Sequence, residues 1–448
     1  MSFHLPSRFS VHRKREKELG VPELIAIALG GMVGGGIFTV LGLSVSLIGV
    51  FTPVAIVLGG AMAALAAYSY IKLGVYYKDE GATYSFYKRT YPASPFAASL
   101  IGWWVVFGYI STLALYAYTF ASYAISGFAF GDSATVRKLV AGAVILAFTL
   151  INVWSVKGMG RVEDFMVYSK LIILVVISFT LINNGNATLA SLRVETGDVS
   201  MLSIMIVAAV TFVAYEGFQL VINAVNEMDE PERNIPRAIY AAIFLAILIY
   251  VAIAAGPILA IPFTDIVRNK EYALAAGADN VLGHWGTDLV ILGALLATSS
   301  AISGTVFGAS RQMAVIAADG YLPAFLARRR GTIPVYAICA MACFAFVLIL
   351  AGSLQVILEF GSVTFLLISL LMAVANHRIR ERTGSSGLLT VLAVLGLAAG
   401  TGLIGYYEIR NQPEQLIFIL TIYLLLTAGA WLYSRINRAR QSPGPHEV

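Results

Sequence analysis

Two ionisable residues and two glycine-marked interruptions fall inside long apolar runs of this sequence. Lys170 lies in Tyr168-Ser169-Lys170-Leu171-Ile172, and Glu216 lies in Ala214-Tyr215-Glu216-Gly217-Phe218. A charge within an apolar span is costly and marks a substrate, proton or ion path by default. The segment Gly30-Gly31-Met32-Val33-Gly34-Gly35-Gly36-Ile37-Phe38 puts five glycines into nine residues. Each glycine costs a helix interior roughly 1 kcal/mol relative to alanine. In lipid, a freed backbone N–H or C=O costs more still unless something binds it. The run is therefore either a surface for close helix packing or an opened backbone that holds a ligand.

The elements that must carry these residues follow from composition. The chain has 448 residues, 58% of them hydrophobic and 12% charged, against about 25% charged in a soluble domain. This composition specifies an all-α integral membrane protein. A transmembrane barrel is excluded, since its strands alternate in runs of about ten. The net charge of +5 is a matter of loop asymmetry and points to no nucleic acid. Cys339 and Cys343 stand four apart in an apolar run and read as small buried hydrophobes, with no disulfide framework, metal site or cofactor implied. The basic head (Arg8, Arg13, Lys14, Arg15, Lys17) leads into a full-length span rather than a cleavable signal.

A helix needs about 20 apolar residues to cross the hydrocarbon. Apolar runs between polar breaks predict twelve spans, near 22–47, 52–77, 97–126, 138–156, 164–183, 201–225, 237–260, 286–309, 334–352, 355–376, 388–406 and 415–434. With both termini cytoplasmic, 23 of the 30 Lys and Arg fall inside, six outside, and Lys170 within a span. That asymmetry agrees with the positive-inside rule.

The two longest connectors, 78–96 and 261–285, follow the second and seventh spans. They hold the same place in two consecutive groups of five. Five is odd, so the second group enters the membrane inverted. The expected organisation is a tail at 1–20, a first five-helix repeat at 21–185, an inverted repeat at 200–376, two added helices at 388–434 and a tail at 435–448. The repeat demands that an interruption in span 1 have a partner in span 6, and Glu216-Gly217-Phe218-Gln219 supplies it. Paired interruptions are the best sequence pointer to a transporter binding site at the bilayer midplane.

These segments resemble amino acid permeases of the amino acid–polyamine–organocation (APC) superfamily. The carrying motifs are Met32-Val33-Gly34-Gly35-Gly36-Ile37-Phe38, Ala214-Tyr215-Glu216-Gly217-Phe218, the stretch from Asn226 through Pro231-Glu232-Arg233-Asn234-Ile235-Pro236-Arg237, and Arg311 through Asp319-Gly320-Tyr321-Leu322-Pro323. The resemblance implies a LeuT-type 5+5 inverted repeat with helices 1 and 6 broken at mid-membrane, alternating access, and amino acid or amine substrates in a multi-pass cell-membrane protein.

A substrate carboxylate would then lie on the amides of Gly35 and Gly36, beside Gly34, at the positive end of a half-helix. Carbonyls around Met32, Val213 and Glu216 would take the ammonium, with Gly217 at the break and Val213 and Phe218 meeting the substrate side chain. Relatives often carry an apolar residue where Glu216 stands, which bears on substrate class. Glu216 is read either as a structural, hydrogen-bonded glutamic acid or as a substrate-amine or proton site.

Lys170 lies about 13 Å along its helix from Arg161, at roughly 1.5 Å per residue. Residue type and depth leave snorkelling and burial both open. The resemblance implies that this lysine replaces the sodium ion of sodium-coupled cousins, near the Gly30 carbonyl and the hydroxyls of Thr298, Ser299 or Ser300. A lysine in low dielectric can exchange its proton, which makes proton-coupled uptake the leading expectation. An exchanger or polyamine carrier is the alternative within the class, and a nutrient-sensing receptor outside it. No enzyme constellation of His, Asp or Ser is present. Asp288, Glu359 and Glu408, near outer span ends, read as interfacial. Arg328-Arg329-Arg330 reads as an orientation signal that also suits lipid headgroups. Asn186-Ala187-Thr188 matches a glycosylation sequon.

Overall fold

The computed structural model describes residues 19–79, 81–154, 156–185, 198–272, 274–275, 278–331 and 333–441, the side chains of 156–164, 271, 278–282 and 439–441 excepted. The basic head, the sequon at Asn186 and the extreme C-terminus lie outside the described residues, as does the Arg161 side chain.

The described chain is helical, with no strand beyond two isolated bridges. In order, the helices are α1 (Val21–Met32), α2 (Gly35–Ile48), α3 (Thr52–Tyr77), α4 (Ala82–Thr90), α5 (Pro95–Ile125), α6 (Ala134–Trp154), α7 (Val156–Asn184), α8 (Met201–Thr211), α9 (Leu220–Asn223), α10 (Pro231–Ala260), α11 (Phe263–Arg268), α12 (Ala278–Ala318), α13 (Val335–Ala351), α14 (Leu354–Arg378), α15 (Arg380–Thr383), α16 (Gly387–Asn411) and α17 (Pro413–Gln441). Among the described residues, ten segments are long and apolar enough to cross a membrane, and α1 and α13 are shorter apolar helices. The two long connectors are not simple loops. The first contains α4; the second contains α11 and a 3-10 turn at Lys270–Tyr272.

Helix starts follow local chemistry. Glu23 accepts from the Gly20 amide at 3.0 Å, with Pro22 in the first turn, and so seats α1. Ser94, Ser200 and Ser353 cap α5, α8 and α14 through their hydroxyls. Within the bundle, Thr and Ser hydroxyls turn onto their own helices, as Thr298 does onto the Ala294 carbonyl at 2.7 Å. This hides them from lipid without a partner elsewhere.

α1, α2, α8 and α9 lie at the centre. α1 packs on α10, α2 on α5 and α8, and α3 on α8 and α10. α12 packs against α5 and α7, and α14 against α3, α5 and α16. The leucine- and phenylalanine-rich perimeter is exposed, as a lipid-facing surface requires. Cys339 and Cys343 belong to it. Both are exposed, which corrects the expectation that they are buried, because an apolar run does not reveal which of its faces looks outward. Asp288 is exposed as expected, but Glu359 and Glu408 are each only 1% exposed. Spacing along a helix placed them near helix ends but did not give the side on which they project.

Candidate functional site

The glycine run breaks the first apolar segment in two. α1 ends at Met32 and α2 begins at Gly35, with Val33 and Gly34 out of helical conformation. The break strands specific backbone groups. The Gly34 amide, which in a continuous helix would serve the Gly30 carbonyl, donates instead to the Met32 carbonyl at 2.8 Å. α2 starts with no side-chain cap, so the amides of its first turn, at Gly35 and Gly36, have no side-chain acceptor.

The second interruption matches it. α8 ends at Thr211 and runs through a 3-10 turn at Phe212–Tyr215. Glu216 is extended, and α9 resumes at Leu220. Gly217 has φ 128°, a conformation open to glycine alone at little cost. It also has no room for a side chain: a Cβ there would lie 2.6 Å from the Gly31 carbonyl carbon and 2.7 Å from the Met32 nitrogen. On the other side of the crossing, a Cβ on Gly36 would lie 3.2 Å from the Ala214 Cα. The two broken segments thus touch at their breaks. Close packing and open backbone are not alternatives here, since the same glycines provide both.

Three side chains answer the stranded groups. Lys170, fully buried, donates to the orphaned Gly30 carbonyl at 2.9 Å and to the Ser300 hydroxyl at 3.4 Å. It therefore does not snorkel. Of the three hydroxyls expected near it, Ser300 makes contact. Thr298 bonds its own helix and turns its methyl toward Gly35, and Ser299 is half-buried beside them. Tyr250 of α10 sends one hydroxyl to both breaks, 2.6 Å from the Met32 carbonyl and 2.7 Å from the Ala214 carbonyl. Gln219 gathers the second break: its amide nitrogen donates to the Glu216 carboxylate and to the Tyr109 hydroxyl at 3.2 Å, and its oxygen accepts from the Gly217 amide at 3.1 Å.

A cavity of about 830 Å³ reaches this crossing. Gly30, Gly31, Tyr109, Tyr116, Glu216, Gly217 and Ser300 line its inner part, and Glu23, Glu227, Arg311 and Arg329 lie toward its mouth. At the opposite end α2 packs against the Lys270–Tyr272 turn, where Gly42 leaves no space for a side chain beneath the Lys270 backbone. Of the residues expected to hold substrate, Glu216 and Gly217 line the cavity, whereas Met32, Gly34, Gly35, Gly36, Val213 and Phe218 are buried and do not line it. Val213 faces Gly361, and Phe218 meets the Tyr70 ring edge-on at 5.4 Å between centroids. Sequence reasoning missed Tyr250 and Tyr109, and placed Gln219 in the interruption without giving it a role. Gln219 carried a signal, a polar residue two positions past a mid-span glycine. The tyrosines carried none, since a tyrosine in an apolar run is more often packing or an interface anchor.

The motif from Arg311 to Pro323 fastens α4, whose Tyr84 lines the cavity. Asp319 accepts from Tyr84 at 2.6 Å and Lys88 at 2.7 Å on α4, while its carbonyl accepts from Asn437 of α17 at 2.8 Å. Lys78 at the end of α3 pairs with Glu232 at the start of α10.

A polytopic helical membrane protein with two touching broken segments at the base of a cavity has the form of a transporter rather than an enzyme. The amino acid permease family model matches residues 19–431, and the chain belongs to that family. Among similar proteins, the inner membrane transport protein YbaT of Escherichia coli is 28% identical over 422 residues, covering 94% of this chain and 97% of its own. The uncharacterized protein MJ0609 of Methanocaldococcus jannaschii is 27% identical over 432 residues, 95% of this chain and 97% of its own. The uncharacterized transporter Rv1979c of Mycobacterium tuberculosis is 26% identical over 473 residues, 96% of each.

Proposed function

We propose that this membrane transporter imports amino acids by alternating access, coupled to protons, with Lys170 standing where a sodium-coupled transporter holds its ion. The observation that carries this reading is the Lys170 ammonium on the Gly30 carbonyl and the Ser300 hydroxyl. A fixed cation there joins α7 and α12 to the end of the α1 half-helix, which is what a bound metal cation would otherwise do. If the proton leaves, the charge-assisted bonds weaken and α1 is released, so protonation and the position of α1 are linked.

In this reading the chain has twelve spans, α1 with α2 forming the first and α8 with α9 the sixth. They form a 5+5 inverted repeat (21–185 and 200–376) followed by two helices (388–434), with both termini in the cytoplasm and the protein in the cell membrane. The cavity mouth is then cytoplasmic, and the conformation is inward-open. A substrate carboxylate sits on the uncapped amides of Gly35 and Gly36. The Met32 carbonyl already accepts from the Gly34 amide and competes with the Ala214 carbonyl for the Tyr250 hydroxyl proton. The ammonium is left to Glu216 and the Val213 carbonyl. Glu216 lines the cavity, and this favours a second reading of substrate class, with a cationic or amine group preferred over a wholly apolar side chain.

The test is uptake of radiolabelled amino acids into proteoliposomes under a pH gradient, a sodium gradient, or internal substrate alone. Accumulation driven by the pH gradient without sodium supports symport. Uptake only against internal substrate marks an exchanger. No uptake with saturable substrate binding marks a receptor.

A further inference from the structure

Glu359 and Glu408 come together away from the site described above. Glu359 lies in the second turn of α14 and Glu408 in the last turn of α16, both 1% exposed and within hydrogen-bonding reach of each other. Gln355 donates to one oxygen of Glu359 at 2.8 Å. Among the described residues, no donor reaches the other Glu359 oxygen or either Glu408 oxygen, all three buried. Buried carboxyl oxygens without a donor are costly to hold as anions. The helix dipole adds to that cost at Glu408, since the C-terminal end of a helix disfavours negative charge. Among the described residues, Lys270, an exposed residue of the turn that presses on α2, is a cation near Glu359, and Tyr407 of α16 is a neighbouring phenol.

A donor is what the pair lacks. We infer that Glu359 and Glu408 form a proton-binding site of their own, in which one shared proton bridges the two carboxyl groups. The site is remote from Lys170 and the cavity mouth. α13, 17 residues long and so roughly 25 Å at ~1.5 Å per residue, separates Arg329 at the mouth from the start of α14. The pair therefore lies at the opposite end of the bundle, next to the segment that closes α2. Any movement of Lys270 with that segment changes the field on the pair, which places it to register the pH of that side. This inference stands on burial and geometry and does not rest on proton-coupled uptake.

Infrared spectroscopy of the purified full-length protein tests it, in a Glu216→Gln background that removes the buried carboxyl of the second break from the spectrum. At neutral pH the parent should give the C=O stretch of a protonated carboxylic acid, shifted in D2O. Glu359→Gln and Glu408→Gln, each nearly isosteric, should each lose it, because the new amide donates to a partner that can then ionise. The two variants are measured separately, so either one that keeps its fold decides the matter. Absence of the band from the parent overturns the inference, as does its persistence in the variants. A band that comes and goes on exchanging sodium chloride for choline chloride at fixed pH overturns it in favour of a metal cation.

Discussion

The ammonium of Lys170 lies 2.9 Å from the carbonyl oxygen of Gly30, the group whose helical partner is lost at the break. A continuous helix would give Gly30 the amide of Gly34. The break diverts that amide to Met32, and the lysine of a different helix takes its place. The glycine run and the buried lysine are thus two halves of one arrangement, although 140 residues separate them.

Tyr250 is the prediction least visible from sequence. Its hydroxyl lies between carbonyls of the two breaks and shares its one proton with them, so Tyr250→Phe removes the buried donor common to both. A lost buried hydrogen bond of this kind costs about 1–3 kcal/mol. Thermal unfolding in detergent should show a lowered midpoint, and uptake should fall about tenfold or more. An unchanged midpoint with unchanged uptake would remove Tyr250 from the account.

Gly217→Ala should destabilise the protein by about 1–3 kcal/mol through backbone strain, with further loss from the clash against Gly31 and Met32. The matched control is Gly405→Ala on α16, where a Cβ meets nothing within 4 Å and helix propensity improves by up to about 1 kcal/mol. Opposite signs of the two shifts are expected. A harmless Gly217→Ala would mean the break is not held as described.

Much of this was legible in the residues. The helices lie where the apolar runs do, and α3 coincides with the predicted 52–77. They often extend further, α12 by several residues at each end, because a helix does not stop where the bilayer does. Both interruptions were readable, since glycine and a mid-span carboxylate conflict with a continuous apolar helix. The close approach of the breaks, the tyrosine that bridges them and the burial of Glu359 and Glu408 were not. Each depends on which helix face meets which neighbour, and near-uniform apolarity erases the periodicity that would reveal it.

Glu216→Gln keeps the volume and removes the ionisable carboxyl beside Gln219 and Tyr109. Hydrogen bonds to a charged group are worth about 1.5–3 kcal/mol. Competition assays should therefore show preference for cationic over neutral amino acids falling about tenfold or more, or a displaced pH optimum. An unchanged substrate profile and pH optimum would assign Glu216 a structural role only.

Asp319 ties α4 to α12 and α17. Burial is the main reason that the Tyr84 phenol is raised well above its ordinary value of 10, with the Asp319 hydrogen bond adding to it. A phenol held protonated by the fold contributes stability below pH 10 that is lost as pH rises past that value. Thermal stability should therefore be insensitive to Tyr84 between pH 6 and 9 and decline in stronger alkali, with Tyr84→Phe flattening the decline. Asp319→Asn should loosen α4, read as faster hydrogen exchange over residues 82–90, and equal exchange would contradict the latch.

The central claim is that Lys170 takes the place of a coupling ion, and one measurement addresses it most directly. Wild-type protein and Lys170→Ala are reconstituted side by side, and accumulation of radiolabelled amino acid is followed under an imposed pH gradient, with sodium replaced by choline. Wild type should accumulate substrate without sodium, and Lys170→Ala should lose pH-driven accumulation while still exchanging bound substrate. Lys170→Ala that accumulates with full pH dependence, or wild type that accumulates only on a sodium gradient, would contradict the account.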